Sequence, residues 1–309
     1  MIAAKKIAPL MEEEKNILRI LLYFDIFNYP LTEDELERFA PSLPIHLALS
    51  LENLRTRGLA HMLDRFYSVQ NNLHLARRRQ NGNQLAEKKM KAAKRFSQLI
   101  SFMPFVRAVM LSGSISKGFM DEKSDIDYFI ITAQGRLWIT RTALVLFRRL
   151  FLFNSRKNLC TNYFIDEATL EIEEKNIFTA VEITTLTPMF GKDLIHQFSQ
   201  ANAWCDRYFP NRIIQNELSQ KKEAWVKRSL EKLLSISWFD KLDRYLMSYS
   251  INRWKKIYGN YLETEDFKIA FQSTPNVSRS HPEFYQKKVL KLYEQKISDF
   301  EQQHEIVLS

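Results

Sequence analysis

The stretch "MLSGSISKGFMDEKSDIDYFIIT", Met110–Thr132, gathers the residues of this chain best suited to chemistry. Asp125 and Asp127 stand two apart at the start of an apolar run. Side chains of a strand alternate faces, so both carboxylates point one way and Ile126 the other. Paired carboxylates repel unless a cation lies between them. Magnesium, with its preference for oxygen ligands, is the natural cation. Before the pair, across a spacer of ten residues, a Gly-Ser step closes another apolar run. Gly113 lets the backbone approach a phosphate, and Ser114 offers both an N–H and a hydroxyl. Lys117 adds a point charge, and Gly118 permits the turn back. A polyphosphate cradle opposite a carboxylate pair is the equipment of metal-assisted phosphoryl or nucleotidyl transfer.

Two strands must hold these groups. "VRAVMLSGS" predicts a buried strand over Val106–Ser112, and "IDYFIIT" a second over Ile126–Thr132. A linker is expected at "QNGNQ", leading into a helix from Leu85 to Ser101. Met90, Ala93, Phe96, Leu99 and Ile100 form its inner face. The region Arg77–Arg95 is the most basic of the chain, with Glu87 its one acid. Its charges read first as a solvated helix face, and second as a phosphate-steering surface.

With these elements in place, the chain resembles the DNA polymerase β-like nucleotidyltransferase superfamily. The likeness rests on Ser112-Gly113-Ser114, the spacer, and Asp125-Ile126-Asp127, and covers about 100 residues, 85–190. It implies a mixed sheet flanked by helices and two magnesium ions on Asp125 and Asp127. It also implies a nucleoside triphosphate held by Gly113, Ser114 and Lys117, with pyrophosphate as leaving group. A third carboxylate is expected from a later strand. "LCTNYFIDE", Leu159–Glu167, is that strand, but Asn162 stands at its middle. Asp166 shares the face of Asn162 by alternation, ~13 Å farther along, and is the candidate third catalytic acid. Glu182 on the helix "NIFTAVEITTLT" is a further candidate, read first as a solvated helix residue.

The flanking regions are helical. Residues 13–70 predict three helices and a hairpin, the order of a winged helix. Ile17, Leu18, Leu21, Leu22 and Phe24 stripe the first helix, and Pro30 is expected to end it. Thr32–Glu35 is a capping box for the second. The third is expected over Ile45–Thr56 and closed by Gly58. Asn53, Arg55 and Arg57 on the third helix are its only plausible phosphate contacts. After Ala201 the sequence predicts helices, with Trp238, Leu242, Tyr245, Leu246, Tyr249 and Trp254 as packing residues. "QSTPNVSRSHPE" reads as an exposed loop before a last helix. The expected fold is therefore α+β. It comprises a winged-helix-like unit over 1–80, a nucleotidyltransferase-like domain over 81–200, and a helical domain over 201–309.

Composition sets the frame. The 309 residues carry a formal net charge of +9, which favours anionic partners. Cys160 and Cys205 make neither a disulfide framework nor a metal-ligand spacing, so a cytoplasmic protein is expected. The apolar run "ILRILLYFDIF" is broken by Arg19 and Asp25 and is shorter than the ~20 residues of a membrane span. It also lacks the small-residue cleavage site of a signal peptide. The expected function is magnesium-dependent transfer of a nucleotidyl group to a small molecule, a protein or an RNA end. One alternative is a nucleotide-binding sensor or partner-binding protein without turnover. Another is a DNA-binding regulator acting through the N-terminal unit, with nucleic acid the less favoured partner.

Overall fold

The computed structural model describes residues 9–41, 46–212, 225–234, 238–260, 267, 270–280 and 285–308. Ile45, the expected start of the third helix, lies outside these residues. So do 213–224, 235–237, 261–266, 268–269 and 281–284 of the expected C-terminal region. The chain forms two compact units. The first holds Met1–Asn81, Trp204–Ile213 and Gln286–Ser309, and the second Gly82–Ala203 and Ile214–Tyr285. The residues after 201, read as one region from the sequence, divide between the two.

The first unit begins with α1 (Glu12–Asp25), α2 (Glu33–Phe39) and α3 (Leu47–Thr56). The stripe Ile17, Leu18, Leu21 and Phe24 is buried as its spacing predicts. Pro30 does not end α1. The helix stops at Asp25, and Asn28 takes a left-handed φ of 51° in the turn that follows. Asn is one of the few residues that tolerate this conformation. The capping box is real: the Glu35 N–H donates to Thr32 Oγ1 and the Thr32 N–H to Glu35 Oε2. Gly58 follows α3 with φ 71°. An antiparallel hairpin, β1 (His61–Leu63) and β2 (Phe66–Ser68), completes the expected order of three helices and two strands. Of the arginines expected to reach phosphates, Arg55 pairs with Glu52 at 2.7 Å and Arg57 lies 3.8 Å from the buried Glu14.

Helix α4 (Leu73–Ser101) is continuous, so no linker exists at "QNGNQ". Gly82 sits in the middle of the helix for a packing reason. A Cβ there would fall within the ring of Phe119, and the Gly82 carbonyl accepts from the Met120 N–H at 3.1 Å. Tertiary contact, invisible in the local pattern, overrides the turn-forming composition.

The second unit is built on a five-stranded mixed sheet in the order β6-β3-β4-β5-β7. Its strands are β3 (Val106–Ser112), β4 (Asp127–Thr132), β5 (Cys160–Asp166), β6 (Thr187–Phe190) and β7 (Val277–Arg279). β4 and β5 are parallel, and the other neighbours antiparallel. β7 falls inside the stretch expected to be an exposed loop. Val277, Ser278 and Arg279 are all buried, because the strand covers the open edge of β5. The crossover from β4 to β5 is helix α6 (Leu137–Phe151). α5 is a single turn, Gly113–Ser116. α7 (Ile177–Thr185) and α8 (Lys192–Ala201) follow β5, and α9 (Trp225–Leu233) and α10 (Trp238–Tyr258) come later.

Alternation along β4 divides the core. Tyr128 and Ile130 pack with Ala93 and Ile100 of α4, Trp138 and Leu144 of α6, and Trp254 of α10. Phe129 and Ile131 pack on the other face with Ile195 and Phe198 of α8. The result is a helix–sheet–helix sandwich with β4 at its centre, and the α+β expectation with a mixed sheet flanked by helices holds.

Candidate active site

The site forms where β3 ends and β4 begins. In the antiparallel register Ser112 lies opposite Asp127, so the Gly-Ser turn and the Asp-x-Asp pair meet without any distant loop. Gly113 turns the chain with φ 67°, and a Cβ on it would stand 2.6 Å from Asp127 Oδ2. Glycine is thus required twice, by backbone conformation and by the carboxylate against it. The Ser114 carbonyl accepts from the N–H groups of Lys117 and Phe119 and closes the turn. Its hydroxyl makes no hydrogen bond among the described residues. Lys117 Nζ bonds the Gly113 carbonyl at 3.2 Å and Glu182 Oε1 at 2.8 Å.

Asp127 sits in an unusual field. Burial pushes its carboxyl up to about 6, and the charges of Asp125 and Glu182 push the same way. A hydrogen bond from Cys160 and the charge of Lys117 pull it down. Asn162 Nδ2 donates to Asp127 Oδ1 at 3.3 Å. Burial, with Asp127 next, raises the Cys160 thiol to about 12, so it stays an S–H donor. The acid therefore has few donors and two acidic neighbours, a balance that a cation would reverse.

Among the described residues no three His, Cys, Asp or Glu side chains converge to hold a metal ion by themselves. Magnesium seldom needs such a cage: one or two carboxylates and the phosphates of a substrate complete its shell. Asp125 and Asp127, both oxygen donors, fit that requirement, and Glu182 adds negative charge beside them.

Not every expected residue arrives here. Asp127 aligns with Cys160 in the parallel register, whereas Asp166 aligns with Thr132, five residues and about 16 Å along the strand. The register also slips between Tyr128 and Phe129, leaving Asn162 as the extra residue of a bulge between Thr161 and Tyr163. The slip inverts the alternation on which Asp166 was expected to share the face of Asn162. Asp166 is fully buried and saturated: it accepts from the Gly135 N–H, the Ala168 N–H and Asn276 Nδ2. It braces the far end of the sheet. Glu182, expected as a solvated helix residue, instead stands at the site through Lys117.

Sequence reasoning missed two contributors. Cys160 was weighed only as a disulfide or metal ligand, yet it begins the strand beside Asp127, and its thiol helps hold that carboxyl down. The Lys117–Glu182 pair joins residues 65 positions apart, and no local pattern announces it.

The comparisons agree with the motif. Residues 89–191 match the family model described as a nucleotidyltransferase domain, spanning the end of α4 to the start of α8. The match does not extend to the three helices and hairpin of the first unit. No curated protein and no solved structure matches the chain.

Proposed function

We propose that the protein, whose residues 89–191 match a nucleotidyltransferase-domain model, transfers a nucleoside monophosphate from a triphosphate to an acceptor hydroxyl, releasing pyrophosphate. The observation that carries this reading is the contact of Gly113 with Asp127. It sets the Gly-Ser turn directly against a carboxylate that has few donors among the described residues.

On this reading Asp125 and Asp127 hold magnesium. The bound ion would neutralise the triphosphate and acidify the acceptor hydroxyl. Gly113 leaves room for the phosphate chain at the turn. Ser114 donates its idle hydroxyl. Lys117 turns from Glu182 toward the phosphates, an exchange of one anionic partner for another. The carboxylate so released at Glu182 Oε1 accepts the proton of the attacking hydroxyl. Asn162, an amide where the superfamily places an acid, keeps its hydrogen bond to Asp127 and orients it. Asp166, held by three donors at the other end of the strand, has no part in this chemistry.

A second reading, a protein that binds nucleotide without turnover, draws on Asn162 alone. One experiment separates the two. The four labelled ribonucleoside triphosphates are offered with and without magnesium, and binding and pyrophosphate release are recorded for wild type and for D125N/D127N. Magnesium-dependent release lost in the variant supports transfer. Binding without release supports the second reading. Identical behaviour of both proteins removes the site.

A further inference from the structure

The end of α6 and the loop after it carry a second unusual surface. Arg148 is 9% exposed, and its Nε is buried without a hydrogen-bond partner. Among the described residues, the side chains of Arg141, Arg148, Arg149 and Arg156 make no hydrogen bond or ion pair. Buried guanidinium groups ordinarily have an acidic partner. Here Arg141 has only the rings of Trp254 and Trp138, with its guanidinium 4.6 Å and 5.6 Å from their centroids. Burial lowers the Arg141 guanidinium to about 10, and repulsion from Arg148 and Arg156 adds to this. Among the described residues, the one carboxylate whose charge reaches the cluster is Asp125, which acts on Arg148.

Two further observations say what kind of anion. The loop exposes aromatic rings: Phe151 is 66% and Phe153 95% exposed. Phe153 and Asn154 both take left-handed backbone conformations, φ 48° and 62°, and the Asn154 N–H is tied to the Arg148 carbonyl. The loop is therefore a shaped projection. It also adjoins the carboxylates by main-chain bonds. The Ile126 N–H donates to the Lys157 carbonyl at 3.1 Å, the Cys160 N–H to the Ile126 carbonyl, and the Leu159 N–H to the Arg156 carbonyl. Arg156 and Lys157 thus run beside Asp125 and Asp127.

Arginines without partners, interleaved with exposed rings beside a transfer site, match the chemistry of an unpaired nucleic-acid strand. Its phosphates need cations and its bases need flat apolar faces. The geometry points to single-stranded nucleic acid as the acceptor, its phosphates on the exposed Arg149 and Arg156, with the buried Arg148 adding positive charge behind them, and its bases on Phe151 and Phe153. This inference rests on the transferase reading of the neighbouring carboxylates and names its acceptor class. A phosphorylated small molecule would engage the arginines and leave the rings idle. An anionic membrane would use the rings without regard to bases.

The test uses the full chain and a labelled oligouridylate of about twelve nucleotides, measured by fluorescence anisotropy across a salt series without nucleotide. Wild type is expected to bind with steep salt dependence. F151A/F153A is expected to weaken binding by ~10-fold or more, and R149E/R156E to weaken it further and flatten the salt slope. These side chains are exposed, so both variants should keep the fold, which circular dichroism checks. Binding untouched in both variants overturns the proposal. So does full displacement by tripolyphosphate with no effect of F151A/F153A, which leaves a bare anion site. Variant-sensitive binding to phosphatidylserine vesicles without oligonucleotide binding overturns it in favour of a membrane. Repeating the measurement on D125N/D127N separates the two readings. Oligonucleotide binding without any turnover counts against transfer alone, and turnover without loop-dependent binding counts against this acceptor alone.

Discussion

The two ends of one pair of parallel strands carry opposite kinds of carboxylate. At the far end of β5, Asp166 is fully buried and answered by two backbone N–H groups and the Asn276 amide. At the near end of β4, Asp127 accepts among the described residues only from Asn162, with the Cys160 thiol close by, while the charges of Asp125 and Glu182 act on it. Burial alone therefore does not distinguish a functional acid from a structural one. On the proposed reading the number of donors does: Asp166 has three, against one for Asp127 among the described residues. On that reading, the carboxylate that the fold has satisfied is a brace, and the one set among like charges is the one to hold a cation.

The sharpest way to break this contrast is to neutralise each end in turn. D125N/D127N should lower turnover by ~1000-fold or more while leaving the urea midpoint unchanged or higher, since the buried repulsion disappears. D166A should do the reverse. It orphans the Gly135 N–H, the Ala168 N–H and the Asn276 amide, and should cost roughly 2–4 kcal/mol in urea unfolding. Magnesium-dependent nucleotide binding by the folded fraction should persist. Equal activity losses in the two variants would dissolve the distinction.

G113A comes next. Its Cβ would meet Asp127 Oδ2 at 2.6 Å in a left-handed backbone, so a loss of about 1–3 kcal/mol is expected. Nucleotide affinity should fall more than stability does. The smallest effect is in the pH dependence. Asp127 and Asp243 both stand at about 6 in the fold, each raised chiefly by burial. The folded state therefore holds more protons than the unfolded chain between about 4 and about 6, and these groups lose stability as pH rises through that window. Denaturation at pH 4.5 and pH 7 should show a smaller pH-dependent loss in D127N than in wild type. Magnesium should restore wild type at pH 7 and leave D127N unmoved.

How much of this was legible depends on the range of the interaction. Gly113, Ser114, Asp125 and Asp127 lie on adjacent strands joined by one short connection, so their meeting follows from the motif and alternation alone. The central strands were legible because Val106–Ser112 and Ile126–Thr132 are largely apolar, and the second begins one residue later than expected, at Asp127. Asp166 was misjudged because one extra residue at Asn162 resets the alternation, and period counting cannot see a bulge. Val277–Arg279 reads as loop by composition and becomes a strand only because β5 offers it an edge. Glu182 reaches the site through Lys117, a long-range pair that no window of sequence contains.

The notch at Gly82 reverses a rule of thumb. In an ordinary helix interior, exchanging glycine for alanine raises stability by about 1 kcal/mol. Here the added methyl would evict Phe119, and the segment between the phosphate turn and the acids would lose its seat on α4. G82A should make a better helix and, on the proposed reading, a poorer transferase, so a thermostabilising redesign of this chain must leave its least helical residue alone.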